Sequence, residues 1–428
     1  MDSVPRASGA PNAGADALAP QTCVRDSTRT VVLIIALTAA GALSALAWVA
    51  LLADTARRWR LLPIDESAAT PPEPATWPCV GVVIPARNEE PTLASALPSV
   101  LAQNYPGEWH VVVVDDRSTD ATRQLADAVV ATRGSARRCR SVAGAPLPPG
   151  WVGKVWALEQ GARELASHSP AYLLLTDADI RHEPESLRRL VAESEQLGLS
   201  LNSRMARLRC EAPAERLLIP AFVYFFNLLY PMRCVNDPAS SIAAAAGGCV
   251  LLRSDALTEI GGFEAIRGEI IDDVNLARRI KTPERRVRLA ISRAGVLSVR
   301  AYGSVGAVWR MVRRTAFDEL GYSWARLAAA VAGLALLFPL PPALVLAAAA
   351  IAAARAAGLT EPAWPWIASA GAVGAFCWSL AAVSYGPAIR LYGLGRRWRL
   401  ALPLAGLLYA GMTVDSARVH RRGPSRAW

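Results

Sequence analysis

The sequence predicts an α/β domain set between membrane-spanning segments, and three observations carry this. Residues 78–300 alternate short Val-, Ile- and Leu-rich runs with amphipathic stretches, the pattern of strands and the helices that cover them. Residues 31–53, VVLIIALTAAGALSALAWVALLA, hold no charge and are long enough to cross a hydrocarbon core of about 30 Å. Hydrophobic residues make up 53% of the 428, a share that fits a chain partly in lipid.

Residues 1–29, rich in Ala, Pro and Gly, read as a disordered tail, and 30–53 as an uncleaved anchor, its apolar run too long for a signal peptide. Arg57, Arg58 and Arg60 follow the anchor, and Arg25 and Arg29 precede it. The positive-inside rule therefore puts the next domain in the cytoplasm by a small margin. The chain reads as a multi-pass protein of a bacterial-type inner membrane.

Residues 78–320 form the α/β domain. VGVVIPA (80–86) is a buried strand. NEEPTLASALPSVL (88–101) is a helix that starts at an Asn cap with acids and Pro91 in its first turn. HVVVVDDRSTD (110–120) is a strand ending in acids, and ATRQLADAVVATRG (121–134) a helix closed by glycine. AYLLLTDADI (171–180) is a third strand, followed by the helix PESLRRLVAESEQLG (184–198).

Residues 326–415 form a C-terminal membrane region of two spans plus a short span or re-entrant segment. The run after Arg326 is read as one long span rather than a hairpin broken at Pro339–Pro342. Residues 366–385 are a second span. Residues 400–414 are short for a third, and the basic tail 416–428 agrees with the charge rule only if they are re-entrant or interfacial.

Open α/β sheets bind ligands beyond the carboxyl ends of their strands. Arg87-Asn88-Glu89, Asp115-Asp116 and Asp177-Asp179 all stand at such ends. Two carboxylates one residue apart can share a hard divalent cation, Mg²⁺ or Mn²⁺, and through it a diphosphate; the same acids also suit a helix or turn cap. Lys154, one of only two lysines in the chain, can meet a phosphate or stay solvated. Asp272 and Asp273 enter a helix, where they can stabilise its N-terminus or act as a general base. GGCVLLRSDAL (247–257), opening on Gly247 and Gly248, is a strand and helix that can floor an acceptor site.

The net charge of +10 is accounted for by basic membrane flanks, so no nucleic-acid partner is expected. The seven cysteines include no C-x-x-C pair, which argues against a disulfide framework or a zinc site. A Rossmann methyltransferase could use VVVVDD for a ribose, but no G-x-G-x-x-G follows the first strand, which argues against it.

The ordered set VVIPARNEE, VVVVDDRSTD, GKVWALEQG, LLLTDADI, GGCVLLRSDAL and IIDDVNLARRI resembles a family 2 glycosyltransferase with the GT-A fold, a mixed, mostly parallel sheet with helices on both faces. APLPPGWVGKVWALEQG, RLRCEAPAERLLIPAFVYFFNLLYP and WRMVRRTAF are similar to the hopanoid-associated membrane glycosyltransferases. The resemblance implies that Pro85, Arg87, Asn88 and Glu89 line the base pocket of a nucleotide-sugar donor, with Asp116 on its uracil. It further implies Lys154 at the diphosphate, Asp177 near ribose or metal, Asp179 on the metal and Asp273 as base, beside Asp272. Glu159 stands where the family has Asn. The Q-x-x-R-W motif of processive members is absent; Arg310, Arg313 and Arg314 stand in that region instead, near the leaving diphosphate or anionic lipid. The implied activity is metal-dependent, inverting transfer of one sugar to a lipid acceptor in hopanoid biosynthesis. Ceramide-type or polyprenyl-phosphate transfer is the alternative, and a non-catalytic nucleotide-sugar scaffold the alternative of another class. The apolar segment 217–230 is either a buried core helix or an interfacial feeder for the acceptor.

Overall fold

The computed structural model describes residues 20–54, 57–64, 71–132, 138–358 and 364–421. Its ten strands are β1 (Pro63–Ile64), β2 (Val80–Ala86), β3 (Trp109–Asp115), β4 (Cys139–Ala143), β5 (Tyr172–Thr176), β6 (Ile180–His182), β7 (Leu199–Met205), β8 (Cys249–Arg253), β9 (Arg286–Ser292) and β10 (Val296–Ser298). Eight form one sheet in the order β1-β9-β7-β8-β5-β2-β3-β4, and β10 pairs with β6 in a second. In the large sheet only β8 runs against its neighbours, β5 and β7. The sheet is thus mixed and mostly parallel, as the sequence predicts.

Central strands are apolar on both faces because both faces are covered. Along β2 and β3, Val83, Val112 and Val114 enter one core, while Val82, Ile84, Val111 and Val113 enter the other. The first face receives the helices Gly153–Leu165 and Pro213–Leu229. The second receives Glu90–Leu101 through Leu93, Leu97 and Val100, and Ser186–Leu197 through Leu187, Leu190 and Val191. Gly161 allows the first helix to lie on the sheet, since a Cβ there would sit 2.4 Å from Val83 Cγ1.

One cap differs from expectation. The first domain helix begins at Glu90, and Asn88 lies outside it at φ +55°. Its side-chain oxygen accepts from Thr119 N at 2.8 Å rather than from the helix, so Asn88 ties the β2 loop to the β3 loop.

The N-terminal helix runs Pro20–Ala53, so residues 20–29, expected in a disordered tail, are helical; the rest of that tail lies outside the described residues. Trp48 is buried and its indole donates to Leu337 O at 3.2 Å. By length and composition, Ile35–Ala53, Ile367–Leu391 and Arg396–Arg421 can each cross a membrane. Trp324–Leu337 and Leu340–Ala356 are bent by 41° at the Pro339 break, a broken span or a re-entrant loop. Leu43, Leu46, Leu346, Phe376, Val383, Leu404 and Leu407 are exposed along these helices, the distribution expected of surfaces that face lipid.

Pro213–Leu229 joins the two halves. It is part of the core and packs on the membrane helices: Tyr224 Oη and Ser384 Oγ are 2.9 Å apart, and Tyr409 Oη donates to Leu218 O at 3.0 Å. Its end emerges at Leu229, 56% exposed.

Candidate active site at the carboxyl ends of the strands

Parallel strands that end together bring distant residues to one rim. Pro85, Lys154, Asp177, Gly247, Asp272 and Asp273 line a single pocket there. Pro85 is tolerated inside β2 because the pairing of that strand with β5 stops at Val83, so the missing N–H costs no ladder bond on that side.

Lys154 is the hub. Its Nζ lies 2.9 Å from Asp177 Oδ1 and 3.5 Å from Asp272 Oδ2. Burial works against the ammonium, but Asp177, Asp272 and Asp273 together raise its pKa well above the usual lysine range. It therefore stays charged at the mouth of the pocket.

Asp273 sits in the first turn of the helix Asp272–Ile280, and the backbone grips its carboxylate from two sides. Gly247 N donates to Oδ2 at 2.6 Å and Val274 N to Oδ1 at 2.8 Å. Burial, and then the charge of Asp272, push its pKa up to about 6, against the pull of Lys154 and these two donors. A carboxylate so placed is a competent base near neutral pH. A Cβ at Gly247 would stand 2.9 Å from Lys154 Nζ and 3.2 Å from Asp273 Oδ2, so any larger residue there displaces one of these two groups. Gly248 takes no part in the pocket; its carbonyl accepts from Thr176 Oγ1 at 2.9 Å and fixes the end of β5.

The two acids of the D-A-D turn have different partners. Asp177 is with Lys154, whereas Asp179 accepts from Ser298 Oγ at 2.7 Å and pairs with Arg300 Nε at 3.2 Å. Arg300 also chelates Glu89, with Nη2 at 2.5 and 2.7 Å from its two carboxylate oxygens. Burial raises the Glu89 pKa despite the guanidinium, while Asp179 and Glu89 lift that of Arg300 against its own burial. Sequence reasoning missed Arg300 and Ser298. The signal was present in SVRAY, polar residues directly after a strand, but 121 positions separate Arg300 from Asp179.

At the neighbouring strand ends, Arg87 Nη1 is 3.2 Å from the buried Asp116 Oδ2 and Arg117 Nε is 3.5 Å from Oδ1. Asp116 Oδ1 is buried and accepts no hydrogen bond. Glu159 pairs along its helix with Arg163 at 2.7 Å. Arg310, Arg313 and Arg314 are not brought into the pocket. Arg313 meets Asp415 of the last helix at 3.5 Å, and Trp309 donates to the same carboxylate at 2.8 Å.

Asp177 and Asp179, the two acids the sequence offers to a cation, present only carboxylate oxygens; Asp177 is 35% exposed at the opening, while Asp179 lies outside the pocket lining, engaged by Ser298 and Arg300. That chemistry fits a hard divalent cation and not a soft one.

Residues 81–261 match the family model described as glycosyl transferase family 2. An N-acetylglucosaminyltransferase of Mesorhizobium japonicum is 28% identical over 220 residues, 48% of this chain and 47% of that protein. An N-acetylglucosaminyltransferase of Rhizobium meliloti is 49% identical over 59 residues, 13% of this chain and 14% of that one. The chain thus spans about half the length of the first curated relative, and less of the second. A mannosyltransferase from Pyrobaculum calidifontis, solved with GDP-Man and Mn²⁺, is 22% identical with a TM-score of 0.48, covering 88% of this chain and 98% of that one.

Proposed function

We propose that the protein is a membrane-bound inverting glycosyltransferase that moves one sugar from a nucleotide-sugar, a UDP-sugar, to a hydroxyl of a lipid acceptor, in hopanoid biosynthesis. The observation that carries this is the pocket itself. A base-competent Asp273 held by two backbone N–H groups lies beside a lysine and two further acids, at the carboxyl ends of the strands of a family 2 domain.

Asp273 accepts the proton of the acceptor hydroxyl. The acceptor oxygen bonds to the anomeric carbon as the bond from that carbon to the diphosphate oxygen breaks, which inverts the centre. The nucleoside diphosphate leaves with the bonding pair, and no covalent enzyme intermediate forms. Gly247 and Val274 hold the carboxylate so that little reorganisation accompanies the transfer. Lys154 sets positive charge at the same opening. A divalent cation held by Asp177 and Asp179 would supply further charge to the leaving diphosphate. Asp116, paired with Arg87 and Arg117, stands at the strand end where the resemblance puts contact with a base such as uracil.

The lipid acceptor is supported by the Pro213–Leu229 helix, which connects the domain to the apolar helices and has the exposed Leu229 at its end. A cytoplasmic side for the domain is supported by Arg57, Arg58 and Arg60 after the anchor, against the two arginines Arg25 and Arg29 before it. The names of the relatives put UDP-N-acetylglucosamine first among donors to test. The test is product analysis from a reaction in lipid vesicles, with hopanoid, ceramide and polyprenyl phosphate as competing acceptors. A hopanoid carrying a single sugar of inverted anomeric configuration supports the proposal. Retention, polymer formation or glycosylated ceramide or polyprenyl phosphate contradicts it.

A further inference from the structure

At the opposite end of the sheet, the amino ends of β2 and β3, three residues of different ligand chemistry meet. The Sγ of Cys79, a carboxylate oxygen of Glu108 and a ring nitrogen of His110 all lie within 4.8 Å of one another. The backbone fixes them there. Val80 pairs with Trp109 and Gly81 with His110, and Val80 N donates to Glu108 O at 3.0 Å, so Cys79 is carried directly beside Glu108 and His110. Glu108 and His110 flank the buried Trp109, and an alternation of two puts both side chains on one face of the sheet. The His110 side chain is only 12% exposed, and its Nε2 lies 2.8 Å from Glu108 Oε1. His168, from the turn after the Gly153–Leu165 helix, stacks on it with ring centroids 3.6 Å apart and planes 18° from parallel. The stack fixes the plane of the imidazole.

We infer that Cys79, Glu108 and His110 form a binding site for a borderline-soft transition ion, Zn²⁺ in chemical class, distinct from the carboxylate pocket. A thiolate, an imidazole and a carboxylate make a three-ligand set of the kind that leaves a fourth position to water, and 69% exposure of Glu108 keeps that position open to solvent. A hard ion that suits Asp177 and Asp179 has no preference for the sulfur. Cysteine spacing could not reveal the site, because its ligands come from two strands joined only by register. Uptake displaces the thiol proton and the contact between His110 and Glu108. The ion would cross-link the first residues of β2 and β3, on the face where the loop carrying His168 packs, at the far end of the strands from the transfer reaction. Its effect falls on stability.

The experiment uses the full chain in lipid nanodiscs, stripped with chelator and titrated with Co²⁺. The expected result is one equivalent per chain with near-ultraviolet thiolate-to-cobalt charge-transfer absorption, displaced by Zn²⁺ and not by excess Mg²⁺. Cys79→Ser removes the absorption, and His110→Gln and Glu108→Gln weaken binding more than about tenfold. Asp177→Asn leaves it unchanged. Zn²⁺ raises the melting temperature of the wild type and not that of Cys79→Ser. Glu108→Gln, on an exposed side chain, keeps the test informative if Cys79→Ser fails to fold. Absence of charge-transfer absorption, its survival in Cys79→Ser, or binding unchanged in Glu108→Gln overturns the inference.

Discussion

Asp273 combines two needs that usually conflict: it is held tightly by Gly247 and Val274, yet its carboxyl is shifted up to about 6. A base acts in its ionised form, so its working fraction grows as pH rises through that value. The expected profile of kcat/KM therefore falls about tenfold per pH unit below about pH 6 and flattens above it. Asp273→Asn should remove transfer while titration calorimetry still detects donor binding. Gly247→Ala places a methyl group against both Lys154 and Asp273 and should lower kcat by about 10² with the fold retained, read by steady-state kinetics beside a circular dichroism spectrum. Arg300 balances Asp179 and Glu89, whose side chains are each 10% exposed. Its own side chain is 37% exposed, which discounts the cost of losing it, so Arg300→Gln should destabilise by about 2 kcal/mol at neutral pH. Without the guanidinium the buried Glu89 favours its protonated form still more. The loss should shrink as pH falls, and a melting curve that shows the same loss at every pH would contradict this role.

Among the elements, Glu215 organises the joint between domain and membrane region. Its carboxylate accepts from Glu211 N and Ala212 N at 2.8 and 2.9 Å, and from Tyr302 N and Gly303 N at 2.7 and 3.2 Å. Burial raises its pKa, but these four donors outweigh that and lower it, so its contribution is present above the usual carboxylate range and fades as acid protonates it. Glu215→Ala removes the shared acceptor of four part-buried hydrogen bonds and should cost about 1–3 kcal/mol, measured by denaturant unfolding in detergent. The strands β2, β3, β5 and β8 were legible because apolar runs bounded by polar turns leave little alternative, whereas β4, β7 and β9 were not, since CRSVA, LSLNSRM and RVRLAIS mix polar and charged residues into the run. The run after Arg326, read as one span, is instead two helices bent by 41° where the prolines interrupt it. Asn88 misled because an Asn before acids and a proline satisfies every local rule for a cap, while the contact that won, Thr119 N, lies on another strand's loop. The same limit hid the Arg300 network and the Trp309 and Arg313 contacts to Asp415, since pairing at such separations is decided by topology and not by spacing. Lys154 and the acids of the pocket were legible as members of one site; their order of pairing, Lys154 with Asp177 and Arg300 with Asp179, was not.

For the whole molecule, a domain built on an eight-stranded sheet rests on apolar helices from both ends of the chain, with Pro213–Leu229 between them. The pocket is built wholly from residues between Pro85 and Leu276. Deleting residues 1–55 should therefore leave nucleotide-sugar binding intact while lowering the melting temperature, because the contacts of Trp48 with Phe338 and Leu337 are lost. Loss of all nucleotide binding in a folded truncation would show that the anchor shapes the site. The central claim is that Asp273 drives sugar transfer to a lipid with help from a divalent cation. Its most direct test is nucleoside diphosphate release from a panel of nucleotide sugars, by protein in lipid, with and without hopanoid extract, Mg²⁺ or Mn²⁺, against Asp273→Asn. The account predicts release that requires both lipid and cation and disappears in the variant. Release of equal rate in Asp273→Asn, or none from the wild type with any donor that binds, would contradict it.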